Sequence, residues 1–232
     1  MLLYRNRKGK GLFCAALLQN LTDARKGCPS LGRGQGAEFD ERTTHLADAA
    51  VRVVEREGLA SLSFRTVAAE AGVSTGRVQH YFRNSKGLAA STFRRVQARV
   101  AVDVRQTLSE EGVSKPSEVV RATLHGLIPD CGSRRELLRV AYIVEQYAMT
   151  DEQLSVELRE GRNGLIDFLA QQISEAAKIS AVALPDGEAA RAQATTLLAL
   201  ADGLSSLSLS ETIDGVEAKR LLNAEVDRVI GA

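Results

Sequence analysis

The chain has 232 residues, of which 44% are hydrophobic, and a formal net charge of +1. This length and apolar content suffice for one or two compact domains with buried cores. No apolar run reaches the roughly 18 residues of a membrane span, so we expect no membrane partner. Cys14, Cys28 and Cys131 fit neither a disulfide framework nor a zinc site, which favours reduced thiols in the cytosol.

Residues 1–37 are predicted to form a basic, disordered extension. Basic residues precede the short apolar stretch GLFCAALL, but no small-residue cleavage site follows, so a secretory signal is disfavoured. The next segment, GCPSLGRGQG, is glycine-rich and typical of a loop. We interpret the extension as a mobile tail or an over-long gene start, with a DNA-grasping arm as the alternative.

Three helices are predicted next. Apolar residues share one helical face between Asp40, a candidate N-cap, and Glu57, before Gly58. Ser63 begins a second helix, FRTVAAEA, and Gly72 ends it. Ser74 then begins a third helix, TGRVQHYF. The short turn between the last two predicts a helix-turn-helix from about Phe64 to Arg83.

The rest of the chain is predicted to be helical as well. Ser85 caps a helix from Lys86 to about Leu108, and Pro116 suits the first turn of another that ends near Leu127. Four later segments carry helical apolar periods: RELLRVAYIVEQYAM, DEQLSVELREGRNGLIDFLAQQISEAAK, EAARAQATTLLALADGLSSLSLS and VEAKRLLNAEVDRVI. Abundant Ala, Leu, Glu, Arg and Gln agree with an all-α fold of about nine helices without strands.

Charge is distributed unevenly along the chain. Residues 71–102 contain six basic residues and no acidic one, whereas residues 103–232 contain 13 Lys and Arg against 21 Asp and Glu. The first region suits a polyanion, and the second would repel one.

The third helix has the residue types of a DNA reader. Val78 and Phe82 are expected in the core, which leaves a polar surface without an acid. Arg can bond guanine and Gln can bond adenine in the major groove, and helix N-termini suit phosphates. We predict that Arg77 and Gln79 read bases. The full set of predicted DNA-binding residues is Ser63, Arg65, Ser74, Thr75, Gly76, Arg77, Gln79, His80, Tyr81 and Lys86.

The segment GLASLSFRTVAAEAGVSTGRVQHYFRNSKGL resembles the DNA-binding domain of the TetR/AcrR family of bacterial regulators. The matching positions are Gly58, Ser63, Val67, Ala68, Ala71, Gly72, Val73, Ser74, Gly76, Val78, Tyr81 and Phe82. Gln79 departs from the family, in which many members have Tyr. TTLLALADGL, near the end of the chain, weakly resembles the BetI-like part of the family.

The resemblance implies a dimer of two-domain, all-α subunits. Residues 38–86 would be the TetR-type DNA-binding domain, and residues 87–232 the helical regulatory and dimerisation domain. The last two helices would pair with those of a second subunit. One apolar stripe could be either ordinary core or a subunit contact; it consists of Leu197, Leu200, Ala201, Leu204 and Leu207.

A ligand pocket is the least specific of the predicted sites. Tyr142, Gln146 and Met149 share one helical face, which Glu145 borders, and Phe168 lies on the following helix. These five residues could line a pocket for an unknown small-molecule effector, or be ordinary core with a polar rim.

The sequence predicts a transcriptional regulator rather than an enzyme. The three histidines are far apart, no cluster has metal-ligand spacing, and no cofactor motif is present. The favoured function is a cytoplasmic bacterial repressor that binds a palindromic operator as a homodimer and leaves it when a ligand binds. The alternatives are a small-molecule receptor with vestigial DNA binding, and an activator or global regulator without a ligand.

Overall fold

The computed structural model describes residues 35–110, 112–130, 132–180 and 187–230. Most of these residues are helical, without a strand among them, so the predicted all-α fold is confirmed. Nearly all of the predicted extension 1–37, and with it Cys14 and Cys28, lies outside the described residues, as does Cys131.

Nine α-helices and one short 3-10 turn, Leu59–Ser61, make up the described chain. The helices are α1 Gln35–Glu57, α2 Phe64–Ala71, α3 Thr75–Phe82, α4 Ser85–Glu110, α5 Pro116–His125, α6 Gly132–Ala148, α7 Glu152–Ser180, α8 Gly187–Leu209 and α9 Gly215–Ile230.

The first three helices enclose a small core of their own. Val53 from α1, Val67 from α2 and Val78 from α3 are completely buried there, and Phe82 and Leu88 are buried beside them. An ionic contact ties α1 to α2, because the Glu70 carboxylate accepts hydrogen bonds from Arg52 (2.6 Å) and Arg56 (2.8 Å). The hydrogen bond from Arg52, and next to it the bond from Arg56, hold the pKa of Glu70 below its usual value.

Helix α4 joins this unit to the rest of the molecule. Its apolar face, which includes Phe93, Val96 and Val100, packs with residues of α1 and α6 in a second core. A third core lies among α5, α7, α8 and α9. At 26 residues, α4 spans about 39 Å, so one rigid element runs from the three-helix unit into the larger part of the chain.

Two predicted helix caps are wrong. Helix α1 begins at Gln35, so Asp40 lies inside it rather than at its start. The side chain that caps α4 belongs to Asn84, whose Oδ1 accepts a hydrogen bond from the Gly87 N–H at 2.8 Å, whereas Ser85 is already the first helical residue. An Asn side chain reaches an N–H three residues on as readily as Ser does, so sequence spacing alone did not separate the two.

The predicted subunit-contact stripe on α8 is largely internal core. Leu197, Ala201 and Leu204 are buried against α7 and α9, and Leu200 is half-buried at the edge of the same core. Leu207 differs, with 42% of its surface exposed. A second surface therefore has to be considered for subunit contact, because side chains that fill the core cannot also meet a partner.

Candidate nucleic-acid interface and effector cavity

The turn between α2 and α3 is built by small residues. Ser63 and Thr66 form a reciprocal capping box at the start of α2, with backbone N to side-chain Oγ distances of 3.0 and 3.2 Å. Gly72 adopts the left-handed conformation (φ 65°, ψ 35°) that ends α2 and favours glycine. The Ser74 Oγ accepts a hydrogen bond from the Arg77 N–H, which caps α3.

The turn fixes which face of α3 meets the solvent. Val78 and Phe82 are buried, while Thr75, Arg77 and Gln79 are exposed, as are His80, Arg65 and both cap serines. No hydrogen bond or ion pair holds the Arg77 or Gln79 side chain within the described part of the chain. Each is thus available to a partner outside the subunit.

Two predicted DNA-binding residues lie at the margin of this face. Tyr81 is half-buried, and its ring meets His80 edge-to-face, with centroids 5.4 Å apart. The Lys86 side chain is 83% exposed, and its Nζ lies 3.8 Å from Asp151. An ion pair this long and exposed is weak, so Lys86 can exchange it for a phosphate.

Gly76 lies at the exposed start of α3, where another molecule can approach the backbone. A Cβ added there would meet no protein atom within 4 Å. Packing within the subunit therefore gives no reason for glycine at this helical position, where Ala would be more stable.

The basic region of residues 71–102 does not form one continuous basic surface. Arg94 binds Glu157 on α7 through two hydrogen bonds (2.6 and 2.8 Å), and Arg95 binds Asp48 on α1 in the same manner. Arg99 contacts Glu55 at 3.1 Å. The charges of these three residues are therefore paired with acids distant in sequence, which the count of basic residues along the chain did not predict.

Four of the five predicted pocket residues line one cavity of about 340 Å³. Tyr142, Glu145, Gln146 and Met149 lie on its α6 wall. Its other walls come from α4, α7 and α8, and a smaller cavity shares Gln97, Leu127, Glu145, Arg162 and Asp202 with it. Phe168 lies in the third core and in neither cavity, so its assignment to the pocket is corrected.

A chain of polar side chains crosses the cavity wall. The Gln97 amide donates to Glu145 at 2.7 Å, Arg162 donates to the other oxygen of Glu145 at 3.0 Å, and Arg162 also donates to Asp202. Burial lowers the pKa of the Arg162 guanidinium, but attraction to Asp202 and Glu145 outweighs it and raises the pKa above its ordinary value. The guanidinium therefore stays charged between two carboxylates.

Gln97, Arg162 and Asp202 were missed by the sequence interpretation. They belong to three different helices, so no short spacing connects them. One signal was present in α4, where Gln97 is a polar residue among Phe93, Val96 and Val100 on an apolar face. A polar residue on a buried face requires a partner.

Across the described residues, no group of three or more His, Cys, Asp or Glu side chains is arranged to hold a metal ion. None of the described helices is both long and apolar enough to cross a membrane.

Comparison with known proteins places both parts of the chain. Residues 46–92 match the family model for bacterial regulatory proteins of the tetR family, and residues 116–231 match the model for the C-terminal part of BetI-type transcriptional repressors. The chain belongs to the TetR family of transcriptional regulators. This membership confirms the resemblance seen in the sequence and makes the protein a regulator rather than an enzyme.

Curated relatives of this TetR-family chain are named HTH-type transcriptional regulator BetI. The protein from Vibrio campbellii is 25% identical over 189 residues, which cover 81% of this chain and 91% of the relative. The protein from Yersinia pestis is 33% identical over 89 residues, 38% of this chain and 45% of the relative.

Solved structures of other proteins share the fold. A transcriptional regulator from Rhodococcus sp. Rha1 superposes with a TM-score of 0.68 at 23% identity, over 82% of this chain and 96% of that one. A Saccharomonospora viridis regulator in complex with choline gives a TM-score of 0.68 at 19% identity, over 81% of this chain and 96% of that one. The multidrug binding protein EbrR, complexed with ethidium, gives a TM-score of 0.55 at 25% identity, over 80% of this chain and 98% of that one.

Proposed function

We propose that this TetR-family regulator is a homodimeric repressor that leaves a palindromic operator when a small molecule occupies the cavity lined by α4, α6, α7 and α8. In this proposal α3 enters the major groove, and Arg77 and Gln79 contact bases. Ser63, Arg65, Ser74, Tyr81 and Lys86 hold the phosphate backbone, and Thr75, Gly76 and His80 complete the surface. The regulator acts in the bacterial cytoplasm, with residues 38–86 as its DNA-binding domain.

One observation carries this proposal: α4 connects the two sites. Its first turn follows α3 directly, and Gln97, about 18 Å further along the helix, contacts Glu145 in the cavity wall. A ligand that shifts this contact would move the base of α4 and the reading helix with it. The ligand must bind more tightly to the arrangement that does not bind DNA, because a ligand with equal affinity for the two arrangements would not change their populations.

Exposed apolar residues on α8 and α9 support the dimer. Val216 is 78% exposed and Leu221 37% exposed on α9, and Leu207 is exposed on α8. A second copy would bury this surface and place two α3 helices about one helical turn of DNA apart, roughly 34–36 Å, as a palindrome demands.

The two alternatives make different demands on the same surfaces. A receptor with vestigial DNA binding would not need the exposed, unpaired Arg77 and Gln79 side chains on α3, so these favour a DNA reader. A regulator without a ligand would not need the 340 Å³ cavity with its polar wall, so that cavity favours a ligand.

The test is binding to the DNA upstream of its own gene, measured by fluorescence anisotropy at several salt concentrations. We expect binding that is tighter than to shuffled DNA of equal length, with two subunits per site, and release by a fraction of a cell metabolite extract. Equal affinity for both DNAs at every salt concentration would contradict the DNA-reading role. Specific binding that no fraction relieves would favour the ligand-independent regulator.

A further inference from the structure

The charged residues in the cavity wall do not balance. The lining of the larger cavity contains two carboxylates, Glu145 and Asp202, and one cation, Arg162. The adjoining smaller cavity adds Arg94 and Glu157, which neutralise each other in their paired hydrogen bonds. One negative charge therefore has no cation among the lining residues. In a partly buried site such a charge favours a ligand that brings the missing positive charge.

The wall also has the wrong chemistry for a quaternary ammonium ion. Such an ion has no N–H and is held by the faces of several aromatic rings. The lining of the two cavities includes only two aromatic rings, those of Phe93, which is buried, and of Tyr142, which is partly exposed. Acceptor atoms are abundant instead: the carboxylates of Glu145 and Asp202, the side-chain oxygen of Gln146, and the hydroxyls of Ser205 and Ser206.

Arg162 does not make the wall suitable for an anion. Both of its terminal nitrogens already donate to Glu145 and Asp202, and only its buried Nε lacks a hydrogen-bond partner. A ligand carboxylate would gain this one donor but would lie beside two carboxylates. Electrostatic repulsion would outweigh a single hydrogen bond.

We propose that the effector is an organic monocation that donates hydrogen bonds, of the amidine, guanidine or primary-amine class, and that it binds Glu145 and Asp202. This inference rests on the proposed ligand-responsive function and names the class of its ligand. The guanidinium of Arg162, held between the same two carboxylates, shows that they accept a planar N–H cation.

Gln97 is the positioning residue that reports the cation to α4. The residue is 7% exposed, and its amide donates to Glu145. A ligand that takes this oxygen leaves the buried amide unpaired, which favours an arrangement of α4 in which the amide regains a partner. Binding and signalling are thus separable, because the cation binds Glu145 while Gln97 only senses the removal of its acceptor.

The ligand class can be tested on the full chain with four probes of similar size: benzamidine, benzamide, benzoate and benzyltrimethylammonium. Benzamidine and benzamide have nearly the same shape but differ in charge. We expect benzamidine at millimolar concentration to raise the melting temperature and to bind at least about tenfold more tightly than the other three probes. Equal stabilisation by benzamide, benzoate or the quaternary ion, or none by benzamidine, would overturn the ligand class.

Three variants locate the site and the signal. Glu145→Gln and Asp202→Asn should each abolish the benzamidine shift, whereas Glu136→Gln, an exposed change on the same helix as Glu145, should keep it. Retention of the shift in both carboxylate variants would overturn the assigned site. Gln97→Met should still bind benzamidine, but benzamidine should no longer release its DNA, and release as in the wild type would overturn the role of Gln97.

These experiments also separate the two proposals. The probe series is measured without DNA, so it decides the ligand class even if the chain binds no upstream DNA and the repressor proposal fails. Conversely, the protein could bind DNA specifically and be released by a metabolite fraction, yet not respond to benzamidine. That result would support the repressor proposal and contradict the proposed cationic ligand.

Discussion

Arg77 and Gln79 are exposed on α3, one on each side of buried Val78. The same turn that buries Val78 holds these two side chains outward, so their direction is fixed by the core of the DNA-binding unit. The backbone beneath these side chains is therefore ordered before DNA binds, and only the rotamer freedom of the side chains themselves is lost when they meet a base.

Replacing Arg77 with Ala should weaken operator binding by about 1–3 kcal/mol and relax the preference at one base pair, because Ala cannot form the bidentate hydrogen bonds to guanine. Anisotropy titrations against the operator and its single-base variants measure both effects. Lys178→Ala, an exposed basic residue near the far end of α7, is the matched control and should change neither. An equal decrease in affinity for operator and shuffled DNA would assign Arg77 to the backbone instead.

Replacing Gly76 with Ala should act oppositely on stability and on DNA binding. Ala in an exposed helix is favoured over Gly by about 0.5–1 kcal/mol, and the added Cβ meets nothing in the subunit. The melting temperature should therefore rise while operator affinity falls. The control is Gly187→Ala at the start of α8, another glycine with open space around it. Unchanged operator affinity in Gly76→Ala would rule out close approach of DNA at this residue.

At the scale of single elements, α8 has two faces with different roles. Leu204 is buried in the third core, whereas Leu207, three residues later, points to solvent, and Leu221 is exposed on the neighbouring α9. A charge at Leu204 would therefore unfold the subunit rather than separate subunits.

Leu204→Ala should destabilise the fold by about 2–5 kcal/mol, because it leaves a cavity in a packed core. Leu221→Glu should still give a folded subunit but yield monomers with weak operator binding. Denaturant unfolding and sedimentation velocity separate the two outcomes. A Leu221→Glu protein that sediments as a dimer would show that this part of α9 is not the subunit interface.

Helices α1 and α2 are joined by the carboxylate of Glu70, which predicts a dependence on pH. Its folded pKa lies below the ordinary 4.5, so its contribution to stability is present above that value and is lost as pH falls through the folded pKa. In Glu70→Gln, the melting temperature at neutral pH should be slightly lower, and the further decrease on acidification should be smaller than in the wild type. Glu160→Gln, an exposed change on α7, is the control. An unchanged acid profile in Glu70→Gln would contradict this role.

At the scale of the whole molecule, folding sorts the basic residues into two groups. Arg94, Arg95 and Arg99 connect α4 to α1 and α7 through ion pairs, while Arg77, Arg83 and Lys86 lie on the exposed end of the molecule. Of the two groups, we expect the second to release counterions when DNA binds.

The salt dependence of operator binding should distinguish these groups. Lys86→Gln should flatten the slope of log affinity against log salt by about 0.9 for each phosphate that is no longer neutralised. Arg95→Gln should leave the slope unchanged but lower the melting temperature, because it leaves Asp48 without its partner. The reverse pattern would show that the Arg95 charge reaches DNA despite its ion pair.

The sequence alone determined what depends on neighbours along the chain. Caps at Ser63 and Ser74, the glycine at the turn and the apolar periods predict the helices and the exposed face of α3, because these features act within one or two helical turns. It also predicts that Tyr142, Glu145, Gln146 and Met149 lie together, since one helix carries them all.

Only the tertiary structure decided which residues from different helices meet. The pairing of Arg95 with Asp48 joins residues 47 positions apart, and the Gln97–Glu145–Arg162–Asp202 chain spans four helices. Whether the apolar stripe on α8 packs in the core or contacts a partner depends on which of its faces α7 and α9 cover. Phe168 lies in the core because neighbouring helices cover it too. Helical periodicity shows that a face is apolar, but what covers that face depends on the packing of helices distant in the sequence.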